Sequence, residues 1–224
     1  MKTHLGRRPF SSMELHTLFS GYIYGDDKQA REQPKHWHFW LPLLAYYSGG
    51  FSDELASLEL GDVDITSTIP VLHLHTHGKI KARKIPIHPH LFASGLSEYV
   101  DFVKTQQHSR LLFDLPSKSG RYSEKARIWF SGEGERAGYM QKCHLPTVDQ
   151  QGHKTALSSL RLNFEQSIRI SAMQLGCKPG FYYLMGLKDY PEDDFADLRT
   201  LQKIVRGVRI VNAHSHWQRF CARS

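Results

Sequence analysis

One stretch limits the folds open to this chain more than any other. From Lys35 to Tyr47 the sequence reads KHWHFWLPLLAYY, with little polar surface on any side. Its most apolar part, Phe39 to Tyr47, is far shorter than the roughly 18 residues a membrane span needs, and it contains Pro42. A helix that is apolar all round has to be covered by other elements. This segment is therefore expected to be a buried helix, perturbed at Pro42, where the ring removes a backbone donor. Trp37, Trp40, Tyr46 and Tyr47 are then core residues rather than platforms for stacking bases. A chain of 224 residues is long enough to supply the cover. Its 40% hydrophobic and 23% charged residues are ordinary for a globular protein and argue against disorder.

The flanking sequence suggests what provides that cover. Ser11 to Glu14 has the S-x-x-E spacing of a capping box, and Leu15, Leu18, Phe19 and Tyr22 then share a helical face up to Gly25 and Asp26. Ser48-Gly49-Gly50 ends the buried helix, and a short helix with Glu54, Leu55 and Leu58 follows. The period then changes to two. Val71 to His75 alternates up to a turn at Gly78, and Lys81 to Ile87 returns, which predicts a β-hairpin without a consensus two-residue turn. Pro89 opens a helix carrying Leu91, Leu96, Tyr99, Val100 and Val103, and another is expected around Lys125 to Phe130. Ser131 to Gly152 reads as a polar, mobile loop. A long amphipathic helix should then bury Leu160, Phe164, Ile168, Ala172 and Leu175. Residues 190–224 contain the acidic run Glu192-Asp193-Asp194 and a basic helical tail. The fold class is α+β, mostly helical, with one small antiparallel sheet, and the chain reads as a single domain over 1–224.

Charge narrows the partners. The formal charge is +7 and the pI about 9.3, which favours polyanions and nucleic acid first. Cys143, Cys177 and Cys221 are few, odd in number and without CxxC spacing, as expected of reduced cytoplasmic thiols. Residues 1–9 are basic but have no apolar stretch behind them, unlike a secretory signal. His73, His75 and His77 share a strand face and raise the question of zinc. Neighbours at i and i+2 lie about 7 Å apart, too far for all three to hold one ion, so no metal or other cofactor is expected. His36, His38, His88 and His90 read as packing or surface residues.

Five segments, in order, resemble the catalytic domain of the tyrosine recombinases, the phage integrase family. Phe10 to Leu15 is FSSMEL, similar to the family's F-T/S-x-x-E-L. Ser48 to Val63 is SGGFSDELASLELGDV, similar to T-G-x-R-x-x-E-L-x-x-L-x-x-x-D-V/I. Arg83 to Ile87, RKIPI, resembles R-x-V/I-P-I/L. Ser158 to Phe164, SSLRLNF, resembles H-x-L-R-H-T-F, and Leu184 to Leu187, LMGL, resembles L-L/M-G-H. The likeness spans roughly residues 9–200, and the family's N-terminal core-binding domain has no counterpart in this chain.

The resemblance implies a reaction and also its loss. Family members attack a DNA phosphodiester with a tyrosine, and cations stabilise the charge that develops on the phosphate. Two arginines clasp the phosphate oxygens, a hairpin lysine protonates the leaving oxygen, and two histidine positions assist. Here the first arginine position holds Phe51, the histidine positions hold Ser158 and Leu187, and the tyrosine window falls on Phe195 and Ala196. The second arginine survives as Arg161, and the lysine as Lys79, with Lys81 one register away. Groups that act as a unit fail together, so strand cleavage is expected to be lost. Tyr190 is the fallback nucleophile; Tyr182 and Tyr183 look like packing.

The expectation is a pseudoenzyme that binds duplex DNA through Lys79, Lys81, Arg83, Lys84 and Arg161. Arg161 has a competing partner in Glu165 at i, i+4. The resemblance further implies an accessory or regulatory role in the integration or recombination of a mobile element. It places the protein in a prokaryotic or phage-type cytoplasm, at the nucleoid. The alternatives are an active recombinase using Tyr190, or a module that docks on an active recombinase or on its own copy through the C-terminal helix.

Overall fold

The capping box forms where its spacing requires it. The Ser11 hydroxyl accepts from the Glu14 amide at 3.2 Å, and the Glu14 carboxylate accepts from the Ser11 amide at 2.7 Å. Helix α1 (Ser12–Leu18) follows, shorter than its apolar pattern predicts. A tight turn replaces the missing length, with the Gly25 amide bonded to the Gly21 carbonyl at 2.8 Å, and Phe19 still reaches the core. The computed structural model describes residues 6–25, 33–117, 121–187, 197–211 and 214–222.

The apolar segment becomes α2 (His36–Ser48), and every residue from Trp37 to Ser48 is buried. The helix runs through Pro42. Packing on all sides offsets the lost donor, since each fully buried large apolar side chain contributes about 1.5–3 kcal/mol. Asp114 caps its start, accepting from the His36 and Trp37 amides at 2.7 and 3.2 Å. Gly49 ends it in the left-handed region at φ +64°, and its α-carbon lies against the Phe164 ring, where a β-carbon would not fit. Phe164 belongs to α8 (Leu157–Gln174), the principal partner of α2.

Beside this pair lie α3 (Ser52–Ala56), a 3-10 turn at Leu60–Asp62, and a three-stranded antiparallel sheet. Its strands are β1 (Val63–Asp64), β2 (Val71–Leu74) and β3 (Arg83–Pro86), in that spatial order. The β2–β3 register runs from Val71↔Pro86 to Leu74↔Arg83. It continues to His77 and Ile80, which exchange amide-to-carbonyl bonds of 3.0 and 2.9 Å. The tip is therefore a two-residue turn, Gly78-Lys79, contrary to the sequence expectation. Gly78 at φ +58° supplies the positive dihedral that such a turn needs at its first position.

The remaining helices are α4 (Pro89–Ala93), α5 (Leu96–Thr105), α6 (Ser123–Ser131), α7 (Tyr139–Lys142), α9 (Lys178–Met185), α10 (Leu198–Val205) and α11 (Trp217–Cys221). The helix expected after Pro89 is two helices, split at Gly95 with φ +93°. The supposed loop at 131–152 contains α7 and is anchored by buried Tyr139 and Met140, so its polar composition misled. Leu175 caps α8 and is exposed rather than buried. The C-terminal segment packs into the same core through Leu201, Ile204, Val205, Trp217 and Phe220. All three cysteines are unpaired, and no helix among the described residues is long and apolar enough to cross a membrane.

Candidate functional site

The segment Ser48-Gly49-Gly50-Phe51 joins α2 to α3 and brings together the positions singled out by the motifs. The Phe51 amide donates to Glu54 Oε2 at 2.8 Å, which fixes the first turn of α3. Glu54 also receives a two-pronged contact from Arg83, with Nη1–Oε1 at 2.7 Å and Nη2–Oε2 at 3.2 Å. Arg83 Nε donates to the Leu184 carbonyl at 3.0 Å. The Arg83 side chain is 0% exposed, and that of Glu54 1%. Arg83 therefore ties β3 to α3 and α9 and does not join Lys79 and Lys84 on the surface. This corrects the expectation that it lies along DNA. The reason is strand alternation: Arg83, Ile85 and Ile87 face inward, and Lys84 faces out. That alternation was available in the sequence.

Arg161 sits next to this pair. Nη1 donates to the Gly49 carbonyl, and Nη2 donates to the Met185 carbonyl at 3.0 Å. The guanidinium lies 4.2 Å from the centre of the Phe51 ring, a cation–π contact. Arg161 is 8% exposed, and burial, then the neighbouring Arg83, lower its pKa to about 10, so it stays cationic near neutral pH. Its nitrogens donate to these carbonyls rather than to Glu165, which accepts from Arg169 at 2.5 Å and acts on Arg161 only through its charge. Arg161 thus links the end of α2 to the end of α9.

Over Phe51 lies a cleft of about 240 Å³, whose lining includes Arg7, Asp53, His77, Arg127 and Ser158. Ser158, in the first turn of α8, has a buried hydroxyl without a partner in this cleft. Asp53 accepts from the Tyr122 and Ser123 amides at 2.8 Å each, and Arg127 is paired with Glu124 and Glu133. The His77 ring stands 5.7 Å from that of Phe51. No tyrosine is among the described lining residues. Tyr190, Phe195 and Ala196 lie outside the described residues. Tyr183 is engaged elsewhere, its hydroxyl accepting from the Lys84 amide at 3.0 Å.

The hairpin docks on the end of α9. The Lys81 amide donates to the Gly186 carbonyl at 3.1 Å, and Gly186 caps α9 at φ +68°. Lys79 and Lys84 are exposed and Lys81 is half-buried. Leu187, just past the cap, is 39% exposed. His75 reaches Asp62 at 2.7 Å. Among the described residues there is no group of three or more side chains that could hold a metal ion.

No family model and no curated protein matches this sequence. Among solved structures, an integrase from mycobacterium phage Brujita aligns with a TM-score of 0.53 over 96% of this chain, at 14% identity. The chain shares the fold of a phage integrase. It spans 62% of the length of that integrase, and at this identity the likeness is one of fold. The helices and sheet that gather Phe51, Arg83, Ser158 and Arg161 are the elements of this integrase-like fold. Glu54 and the Gly49 carbonyl, which sequence reading passed over, hold the two arginines.

Proposed function

We propose that this chain is a catalytically degenerate tyrosine recombinase-like protein that binds duplex DNA without cutting it, in an accessory or regulatory role. The observation that carries this reading is the state of Arg161. A phosphate-clasping arginine presents its fork to an anion. Here the fork is spent on two main-chain carbonyls and one face is covered by Phe51. Phenylalanine offers a developing phosphorane neither charge nor donor. DNA contact is assigned instead to the exposed lysines of the hairpin, Lys79 and Lys84, together with Lys81. These would meet phosphates, which position a protein without reading sequence.

The test has two arms. Duplex binding across a salt series should fall steeply, with a log–log slope of about −0.9 for each phosphate neutralised. A nicked duplex that traps covalent intermediates should give no protein–DNA adduct. An adduct that disappears in Tyr190→Phe would replace this reading with an active recombinase. A second reading, docking on another protein, is favoured by exposed Ile170 (57%) and Met173 (75%), one turn apart on α8. No duplex binding at low salt, with self-association lost in Met173→Glu, would select it.

A further inference from the structure

Helix α11 rests against the start of α2, and His36 is the residue between them. The His36 ring is surrounded by Tyr99 and Phe102 of α5, by Phe113, and by Trp217 and Phe220 of α11, with ring centres between 5.1 and 6.3 Å away. Within this cage the Trp217 indole N–H donates to His36 Nδ1 at 3.1 Å. An indole is a donor only, so Nδ1 must keep its lone pair and the imidazole is neutral, with its proton on Nε2. The Trp217 amide adds a bond to the Ser94 carbonyl at 2.9 Å, and Phe220 meets the Phe39 ring at 5.3 Å.

A proton on Nδ1 would reverse this contact, because two N–H donors would then face each other. Trp217 is buried, and a buried donor without an acceptor is costly. The surrounding rings attract a cation through their faces, but they do not replace the acceptor that the indole loses. Asp114 faces His36 from the segment before α6, and its two oxygens accept from the His36 and Trp37 amides. Burial raises the pKa of Asp114, so its support for a cation fades as pH falls. Cys221 Sγ lies 3.9 Å from Nδ1, and burial raises its pKa to about 11, so it stays a neutral thiol. The Tyr99 hydroxyl is spent on the Leu111 carbonyl at 2.6 Å. On α11 itself, His216 Nδ1 accepts from the Gln218 amide at 3.3 Å.

We propose that the Trp217–His36 contact is an acid-sensitive latch, which holds α11 on α2 while His36 is neutral and releases it when Nδ1 gains a proton. Release uncovers the rings of Phe39, Tyr99 and Phe102, against which Trp217 and Phe220 pack. The sign follows from the burial of His36, which lowers its pKa more than Asp114 raises it. The closed latch then takes up a proton less readily than the open one, whose histidine titrates near 6.5. The latch is therefore at full strength above about pH 6.5 and weakens below it. The inference does not depend on duplex binding or on the state of the Phe51 cleft.

Hydrogen exchange and nuclear magnetic resonance on the full chain test it. The protection factors of the Trp217 and Phe220 amides, which allow for the intrinsic effect of pH on exchange, should fall about tenfold from pH 7.5 to pH 5.5. Both amides should exchange faster than those of Leu43 and Leu44 in α2 at either pH, the mark of local opening. The Trp217 indole N–H signal, identified by its absence in Trp217→Phe, should shift over the same range. His36→Gln offers an acceptor that does not titrate, so in this variant the tenfold fall at α11 should disappear. The proposal is overturned if the α11 amides of His36→Gln respond to pH as those of the parent do, or if the parent's indole signal does not move. Exchange of the α11 amides at the same rate as those of α2 would mean that the whole fold opens, and would overturn it too.

Discussion

Arg161 shows how a buried guanidinium can serve as a brace between helices. Its two carbonyl bonds join α2 to α9, so Arg161→Ala should destabilise the chain by about 1–3 kcal/mol for each carbonyl left unpaired. Duplex affinity of the variant that remains folded should change little. Urea unfolding and a binding titration on the same sample separate the two effects. Phe51→Arg should not give cleavage, and it should lower stability, because it replaces a ring on Arg161 with a third cation next to Arg161 and Arg83. Adduct formation by that variant would show that a nucleophile is already present. Two buried histidines predict acid sensitivity. Burial lowers His38 from 6.5 to about 3 and His88 from 6.5 to about 4. Their folded pKa values lie below the unfolded ones, so the unfolded chain binds more protons as pH falls below 6.5. Stability should therefore decline from about pH 6.5 down to about pH 4, by at most about 1.4 kcal/mol per pH unit for each histidine. Thermal melts at pH 7 and pH 5 should show it, and His88→Gln should lessen the difference.

At the scale of elements, glycines set how closely segments approach. Gly186 lets the end of α9 meet the hairpin; a β-carbon there would sit 2.5 Å from Ile80 Cγ2 and 3.2 Å from Arg83 Nη1, on a backbone at φ +68°. Gly186→Ala should loosen the hairpin before it unfolds the domain. Hydrogen exchange at the Lys81 amide, which bonds the Gly186 carbonyl, should speed up, while amides in the middle of α2 remain protected. Equal acceleration in both would contradict a local latch. The main elements were legible, because α2 is an unbroken apolar run and α8 and the hairpin carry apolar periods. The split at Gly95, the short α1 and the anchored α7 were not, since each depends on a turn or a single buried aromatic residue.

At the scale of the molecule, a charge of +7 does not mean that its cations are equally available. Arg83 and Arg161 are internal, and Arg8 is paired with Glu14 and Asp149 at 2.7 Å each. On the hairpin, Lys79 and Lys84 are exposed and Lys81 half-buried, and these are the cations that the proposed duplex contact would use. Replacing all three with alanine should flatten the salt dependence of duplex binding by roughly two to three units of log–log slope. It should weaken unrelated sequences about equally. An unchanged slope would remove the hairpin from the interface.

The sequence by itself determined the α+β class, the buried helix and the hairpin, and it put the uncharged, donor-free Phe51 between α2 and α3. These follow from periodicity and from side-chain chemistry that no packing can alter. Only the tertiary structure decided which cations are free. Arg83 and Lys84 are neighbours in sequence, yet the strand turns one toward Glu54 and the other toward solvent. Arg161 could have met Glu165 or a phosphate; the close approach of α2, α8 and α9 gave it two carbonyls instead. The partners, Glu54 for Arg83 and two carbonyls for Arg161, are distant in sequence and local pattern does not encode them, although strand alternation already set Arg83 and Lys84 on opposite faces.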